Sequence, residues 1–283
     1  MRKILTSLII ISLISLFLTS CGSGSQITGA TVLDGTIQEE ENLVVEIGNT
    51  ETLSERNLDD ALKTISEGFV EYDNKYEPNI LLNAKTVTDS TLSRMKTQQD
   101  EIKEAVSTMQ EAISQGAVNE QFEKEEYKID TCLKSMKEYE EYMKLIAEMD
   151  DIDEQLDVKT DVLYNYVWAE EYNDAREHID EVQPLIQEMI KNLEKRQATG
   201  IEKIPDDFIE SWHDYHDAFN LLREFVDWWQ ERSYRYADDK YEEFSKAIAE
   251  SLEADAERTW EQTIIEVDGW YENNIRLCVG VLE

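Results

Sequence analysis

The stretch PDDFIESWHDYHDAFNLLREFVDWW, residues 205–229, decides the fold class of this chain. Its apolar side chains recur at alternating spacings of four and three residues, the period of one face of an α-helix. Pro205 and the two aspartates after it are typical of a helix start, since proline fits the first turn and acids favour the positive end of the helix dipole. The stripe consists of Phe208, Trp212, Tyr215, Phe219, Leu222, Val226 and Trp229.

A second apolar stripe, which includes Phe225 and Trp228, lies beside the first, so we expect this helix to be central and to contact several neighbours. Runs at the same helical spacing begin at Leu58, Leu92 and Ile129. The chain has 283 residues with 10 glycines and 3 prolines, a composition typical of helical proteins and not of sandwiches or barrels. We therefore predict an all-α fold, an elongated antiparallel bundle of helical hairpins behind a flexible N-terminal tether.

Breaks in the helical period divide the chain. Residues 114–119 separate two runs of similar length, and so short a break predicts an antiparallel hairpin. We expect a further turn in the acidic stretch 148–157. All six tryptophans lie between positions 168 and 270. We therefore predict a long helical hairpin region over residues 53–150 and an aromatic-rich bundle over 151–283, with one continuous bundle as the alternative.

The chain is strongly acidic. Its 27 lysines and arginines against 63 aspartates and glutamates give a formal net charge of −36. Such a surface repels nucleic-acid phosphates and anionic lipid head groups, so we expect no nucleic-acid partner and no direct contact of the body with a membrane. It attracts divalent cations and basic proteins, weakly and with strong salt dependence.

The N-terminus has the layout of a secretory signal. Arg2 and Lys3 precede the apolar run 4–18, which ends in small residues. The tetrapeptide LTSC, which ends at Cys21, resembles the lipobox of prokaryotic lipoproteins. The resemblance implies that the Cys21 thiol receives a diacylglyceryl group and that a peptidase removes the signal peptide, residues 1–20. An ordinary cleaved signal and a retained membrane helix are the alternatives.

Residues 21–52 are rich in glycine, serine, threonine and glutamate and show no helical period, which predicts a flexible tether. Two or three acyl chains would hold its end stably in a bilayer, where a single chain would not. We therefore expect an extracytoplasmic protein that is anchored to a cell membrane through acyl chains on Cys21. Proteins of the cell envelope are then its candidate partners.

One further resemblance involves Tyr166, Tyr172, Ala175 and Ile179. Their spacing resembles the interlocking residues of one tetratricopeptide unit. The resemblance covers one repeat at most, because Leu163 stands where that family has a small residue and no second copy follows after about 34 residues. We interpret this stretch as a helical hairpin with similar packing.

Residue patterns that carry catalysis are scarce. The sequence has three histidines and no glycine-rich phosphate loop, Cys-x-x-Cys pair or nucleophilic serine motif. Glu210 and His213 have the spacing that turns two metal ligands to one helical face, but the second copy that a di-iron bundle needs is missing; a mononuclear site with a distant acid is the remaining alternative. The acidic stretch 151–161 lacks the turn glycine of an EF-hand. We predict no enzymatic activity, no cofactor and no metal site.

Aromatic residues of the C-terminal half suggest two kinds of binding protein. We favour a binding or scaffolding component of the cell envelope that uses the sides of its long helices. The alternative is a ligand-binding lipoprotein with a pocket for a sugar or a peptide, although aromatic residues at helical spacing more often form core. The residues of that pocket would be Trp212, Tyr215, Trp228, Trp229 and Trp260.

Two cysteines remain in the body of the chain. Cys132 and Cys278 can form a disulfide in an extracytoplasmic compartment, where disulfides persist. Cys132 can equally serve as a small buried apolar residue of its helix. The sequence leaves both interpretations open.

Overall fold

The computed structural model describes residues 53–83, 87–255 and 259–282. All regular secondary structure in these ranges is helical, which confirms the predicted all-α fold. The predicted signal peptide and tether, with Cys21, lie outside the described residues.

The helices follow one another with short connections. In chain order they are α1 Leu53–Tyr76, α2 Pro78–Asn83, α3 Asp89–Ser114, α4 Glu120–Trp168, α5 Tyr172–Thr199, α6 Asp206–Gln230, α7 Tyr234–Asp255, α8 Trp260–Asn274 and a C-terminal 3₁₀ helix Arg276–Gly280.

Side-chain and glycine caps fix several helix ends. The Asn119 side chain accepts a hydrogen bond of 2.9 Å from the Phe122 N–H at the start of α4. Thr259 and Gln262 form a complete capping box at the start of α8. Gly200 ends α5 in the left-handed conformation, with φ 68°. These contacts satisfy backbone groups that have no partner within the helix.

The structure lacks one interruption that the sequence predicts. Helix α4 runs unbroken for 49 residues, so the turn expected at residues 148–157 is wrong. Ile152 and Leu156 are buried there and carry the apolar face of the helix through the acidic stretch. A proline inside a helix commonly ends or kinks it, but Pro184 lies inside α5 and does not end it.

The first packing group contains α1, α2, α3, the first half of α4, α8 and the 3₁₀ helix. Hydrogen bonds from Gln110 to Glu126, at 2.9 Å, and from Gln99 to the Met136 carbonyl, at 3.1 Å, show that α3 and α4 run antiparallel. The hairpin predicted around residues 114–119 is therefore confirmed. At the end of the chain, α8 and the 3₁₀ helix return to pack on α1, α2 and α4.

The second packing group contains the second half of α4 with α5, α6 and α7, each packed on the next. A row of side-chain hydrogen bonds joins α5 and α6 in antiparallel register, including Gln183 to Asn220 at 2.9 Å and Gln187 to His216 at 3.0 Å. Helix α6 contacts both α5 and α7, which agrees with its two apolar stripes.

Helix α4 belongs to both packing groups. Its first half buries Met136 and Tyr139 in the first group, and its second half buries Leu156 and Leu163. At 1.5 Å per residue the helix is about 73 Å long. The predicted division between residues 150 and 151 falls within it.

Candidate binding surface: an aromatic end of the second packing group

Two short connections lie at the same end of the second packing group. Residues 169–171 join α4 to α5, and residues 231–233 join α6 to α7. The Gln230 side chain donates a hydrogen bond of 2.9 Å to the Asn173 side chain, so the end of α6 lies beside the start of α5. Four helix ends therefore meet here.

Both connections have the same backbone conformation. Glu170 and Arg232 each take the left-handed conformation with φ 59°. The Glu171 N–H donates to the Tyr166 carbonyl and the Ser233 N–H donates to the Trp228 carbonyl, at 2.9 Å in each case. This is the hydrogen bonding of a Schellman turn, which usually has glycine at the left-handed position. The left-handed conformation costs roughly 1–2 kcal/mol for each non-glycine residue.

Aromatic side chains cluster around these two turns. The ring centroid of Trp229 lies 5.0 Å from that of Tyr234 and 5.4 Å from that of Tyr172. Trp228 and Tyr236 form a second pair at 5.4 Å. Such distances are typical of favourable aromatic pairs. We define the aromatic end as Trp168, Tyr172, Trp228, Trp229, Tyr234 and Tyr236.

Four side chains of the aromatic end face solvent. The exposed fractions are 41% for Trp168, 36% for Trp228, 50% for Tyr234 and 62% for Tyr236. Exposed apolar residues that occur singly are ordinary, whereas a cluster of them marks a binding surface. Tryptophan and tyrosine are the residue types that contribute most to binding at protein interfaces, because they combine large apolar faces with polar edges.

The surroundings of the aromatic end are acidic. Residues 168–174 and 228–239 contain six exposed carboxylates and two exposed guanidinium groups. Burial, followed by the negative charge of Glu170, raises the pKa of Tyr172 to about 12. The carboxylates are Glu170, Glu171, Asp174, Glu231, Asp238 and Asp239.

The pocket suggested by the sequence is dispersed in the structure. Trp212 and Tyr215 are neighbours, with ring centroids 5.7 Å apart. Trp212 lies about 24 Å and Tyr215 about 20 Å along α6 from Trp228, since a helix rises 1.5 Å per residue. Trp260 packs on the first packing group. Of the five residues, only Trp228 and Trp229 belong to the aromatic end.

Sequence reasoning missed Trp168, Tyr172, Tyr234 and Tyr236 as members of one surface. A signal for Tyr236 exists, because it lies outside the apolar stripe of α7 to which buried Phe244 belongs. Aromatic residues outside a stripe face away from the helix partners, which predicts exposure. No such signal exists for Trp168. It is the last residue of α4, and its place beside the other aromatic residues depends on how the four helices pack.

The other candidate sites of the sequence occupy ordinary helical positions. Glu210 and His213 are both exposed on α6, and residues 151–161 lie within the continuous helix α4. In the part of the chain that the structure describes, no three His, Cys, Asp or Glu side chains are grouped as metal ligands.

Cys132 and Cys278 form a disulfide, with their Cα atoms 5.9 Å apart. It joins α4 to the 3₁₀ helix, and both side chains are buried. Close to it, Arg276 contacts Asp73 at 3.4 Å and Glu77 at 2.7 Å, which fastens the 3₁₀ helix to α1.

A buried ion pair closes the connection between α5 and α6. Arg196 and Glu202 are 2.5 Å apart, and both are almost completely inaccessible to solvent. The guanidinium group also lies 5.9 Å from the centre of the Tyr142 ring. Burial acts to lower the pKa of Arg196, but Tyr142 and Glu202 raise it by more, so the group stays charged. Buried charges of this kind persist because they are paired.

Comparison with known proteins gives no match: neither a protein-family model nor a curated protein nor a solved structure is similar to this chain. Among the described helices, none has an apolar stretch of the length that a bilayer crossing requires. Within the described residues, the aromatic end is a surface where four exposed aromatic side chains lie near two adjacent turns.

Proposed function

We propose that this chain is a lipid-anchored, extracytoplasmic helical protein that binds a partner at the cell envelope through its aromatic end. The observation that carries the binding role is the group of four exposed aromatic side chains on the helix ends beside two turns of the same backbone conformation. A site on a rigid helical scaffold needs little reordering when it binds, which favours affinity.

Two features support the proposed location. The Cys21 lipobox pattern would provide the acyl anchor, and residues 22–52 would give the body a reach of about 30 Å from the membrane if they behave as a random coil. The buried disulfide between Cys132 and Cys278 is of the kind that persists in an oxidising compartment.

The chemistry of the aromatic end suits binding better than catalysis. Its side chains are tryptophan, tyrosine, arginine and carboxylate groups, and Tyr172 has a pKa of about 12. A phenol with such a pKa keeps its proton at neutral pH and acts as a hydrogen-bond donor, not as a general base.

The anchor is tested by labelling cells with an alkyne fatty acid. The natural chain should carry the label and stay with the membranes, while Cys21→Ala should lose the label and reach the soluble fraction or remain unprocessed. Cys132→Ala, which changes a cysteine of the body, should keep the label. An unlabelled natural chain, or a labelled Cys21→Ala variant, would show that the anchor is wrong.

The binding surface is tested with a photo-crosslinking amino acid at position 236 in native membranes. Position 127 is the matched control, because Tyr127 is also an exposed tyrosine, at 83%, and lies in the first half of α4. We expect an adduct at position 236 that position 127 does not give. Equal adducts at both positions, or none at 236, would contradict the proposal.

A ligand-binding role is the second candidate, because the tilted pair of Trp228 and Tyr236 offers an exposed platform for the flat face of a sugar ring. This role predicts a change of tryptophan fluorescence when soluble saccharides are added to the full chain in detergent. The change should be absent in a Trp228→Phe variant.

A further inference from the structure

We propose that the aromatic end takes a basic segment of a partner protein, with lysine or arginine side chains of that segment placed on its rings. This inference rests on the proposed function and names the class of partner. It follows from the charge of the chain, the local carboxylates and the exposed ring faces taken together.

The charge of the whole chain favours a cationic partner. A formal net charge of −36 creates a negative potential that attracts basic proteins and accelerates their encounter. The local balance at the aromatic end has the same sign, with six exposed carboxylates against the guanidinium groups of Arg232 and Arg235.

Several exposed aromatic side chains lie together at this end, and their ring faces add a contact that carboxylates alone do not make. The face of a tryptophan or tyrosine ring carries partial negative charge and attracts an ammonium or guanidinium group within about 6 Å. Trp228, Tyr234 and Tyr236 present such rings beside Glu231, Asp238 and Asp239. A lysine or arginine side chain can therefore meet a ring and a carboxylate at once.

The same charges disfavour other macromolecular occupants. Nucleic acids and anionic lipid surfaces carry phosphates, which the carboxylates repel. A second copy of this chain brings a further charge of −36, so association of two aromatic ends is opposed. A neutral glycan meets no such repulsion and is an outcome of the test.

The first experiment measures binding of a short synthetic peptide of lysine, glycine and serine to the full chain in detergent. We expect binding that weakens by about fivefold to thirtyfold in the Trp228→Ala/Tyr236→Ala variant, as two exposed cation–π contacts predict. The control Tyr127→Ala should bind like the natural chain. A peptide with glutamate in place of lysine should not bind.

A second variant tests the carboxylates without changing the rings. Asp238→Asn/Asp239→Asn should weaken binding of the lysine peptide, and the loss should shrink as salt is added. Equal affinity of the natural chain and both variants would show that the general acidity of the surface is sufficient, and the inference would be overturned. Absence of binding to the natural chain would overturn it as well.

The crosslinked product at position 236 separates the two proposals. A crosslinked peptide rich in lysine and arginine supports both. An adduct with an acidic or neutral protein segment keeps the proposed function and overturns the basic partner. An adduct with a glycan, a lipid or a second copy of the chain contradicts the proposal of a basic protein segment. The crosslinked molecule would then be the occupant of the aromatic end.

Discussion

Cys132 in the first half of α4 is bonded to Cys278 in the C-terminal 3₁₀ helix, which is 146 residues further along the chain. A second contact also joins α4 to the C-terminal part of the chain: the Tyr271 ring packs edge-on against Tyr139, with ring centroids 5.0 Å apart. The end of the chain is thus a fixed part of the first packing group.

Replacement of both cysteines, Cys132→Ala and Cys278→Ala, should lower the free energy of unfolding by up to about 5 kcal/mol. The reason is that a bond across 146 residues restricts the unfolded chain. Urea unfolding with and without a reductant measures the loss. The reductant should destabilise the natural chain and leave the stability of the variant unchanged. An equal effect on both chains would show that the reductant does not act through this disulfide.

Glu202→Gln should destabilise the chain by about 3 kcal/mol or more, because it leaves the Arg196 guanidinium buried without its counter-charge. Glu148→Gln is the matched control. Its carboxylate lies 3.8 Å from Lys144 on an exposed helix face, and loss of such a pair changes stability by less than about 1 kcal/mol. Similar effects in the two variants, measured by urea unfolding, would contradict the role of the buried pair.

Gly68→Ala should destabilise the chain because α1 and α3 approach closely at this point. A Cβ atom on Gly68 would lie 2.6 Å from Cγ1 of Ile102, which is fully buried. Overpacking of this kind costs about 1–3 kcal/mol, partly offset by the better helix propensity of alanine.

Gly269→Ala in α8 is the control for this substitution. Nothing lies within 4 Å of its added Cβ atom. Only the propensity gain of up to about 1 kcal/mol remains there, so Gly269→Ala should stabilise the chain. Thermal unfolding of both variants measures the two effects. A higher melting temperature for both variants would show that α1 and α3 do not meet closely at Gly68.

Asp157→Asn should stabilise the chain at neutral pH. Burial raises the pKa of the Asp157 carboxyl, and the negative charges of Asp153 and Asp161, each four residues away on α4, raise it further. Two like-charge pairs at this spacing cost about 0.5 kcal/mol or slightly more in total at low salt. The variant removes both.

The pH dependence of this gain has a defined sign. A raised pKa means that the folded chain holds the proton more tightly than the unfolded chain. The stability that the protonated group contributes is complete below the ordinary aspartate value of about 3.9 and is lost as the pH rises through the raised pKa. The advantage of Asp157→Asn should therefore grow over that interval and shrink in high salt, and a gain that is independent of pH would contradict this cause.

Periodicity predicted the helices well because burial follows the stripe. Phe219, Leu222 and Val226, taken from the stripe of α6, are all fully buried. The dense charge of residues 148–157 is typical of a turn, but Ile152 and Leu156 keep the helical spacing through it and are buried. The spacing of the two apolar residues therefore predicts the secondary structure of this stretch better than its local charge does.

The aromatic end was only partly predictable. Trp228 and Trp229 belong to the pocket that the sequence suggests, but the sequence groups them with Trp212 and Trp260, which the fold places elsewhere. Which face of a helix stays exposed depends on the helices that pack against it, and this is decided by contacts between distant parts of the chain. The same holds for Cys132 and Cys278, since the sequence offers their pairing as one of two interpretations and the return of α8 brings the two cysteines together.

Helix α4 has a consequence for how the body comes apart. Because one continuous helix supplies buried side chains to both packing groups, the opening of either group exposes part of the apolar face of α4. Cooperative units of this kind unfold together. Backbone amides in the middle of α4 should accordingly be among the slowest of the chain to exchange with heavy water, and heating should produce a single sharp transition.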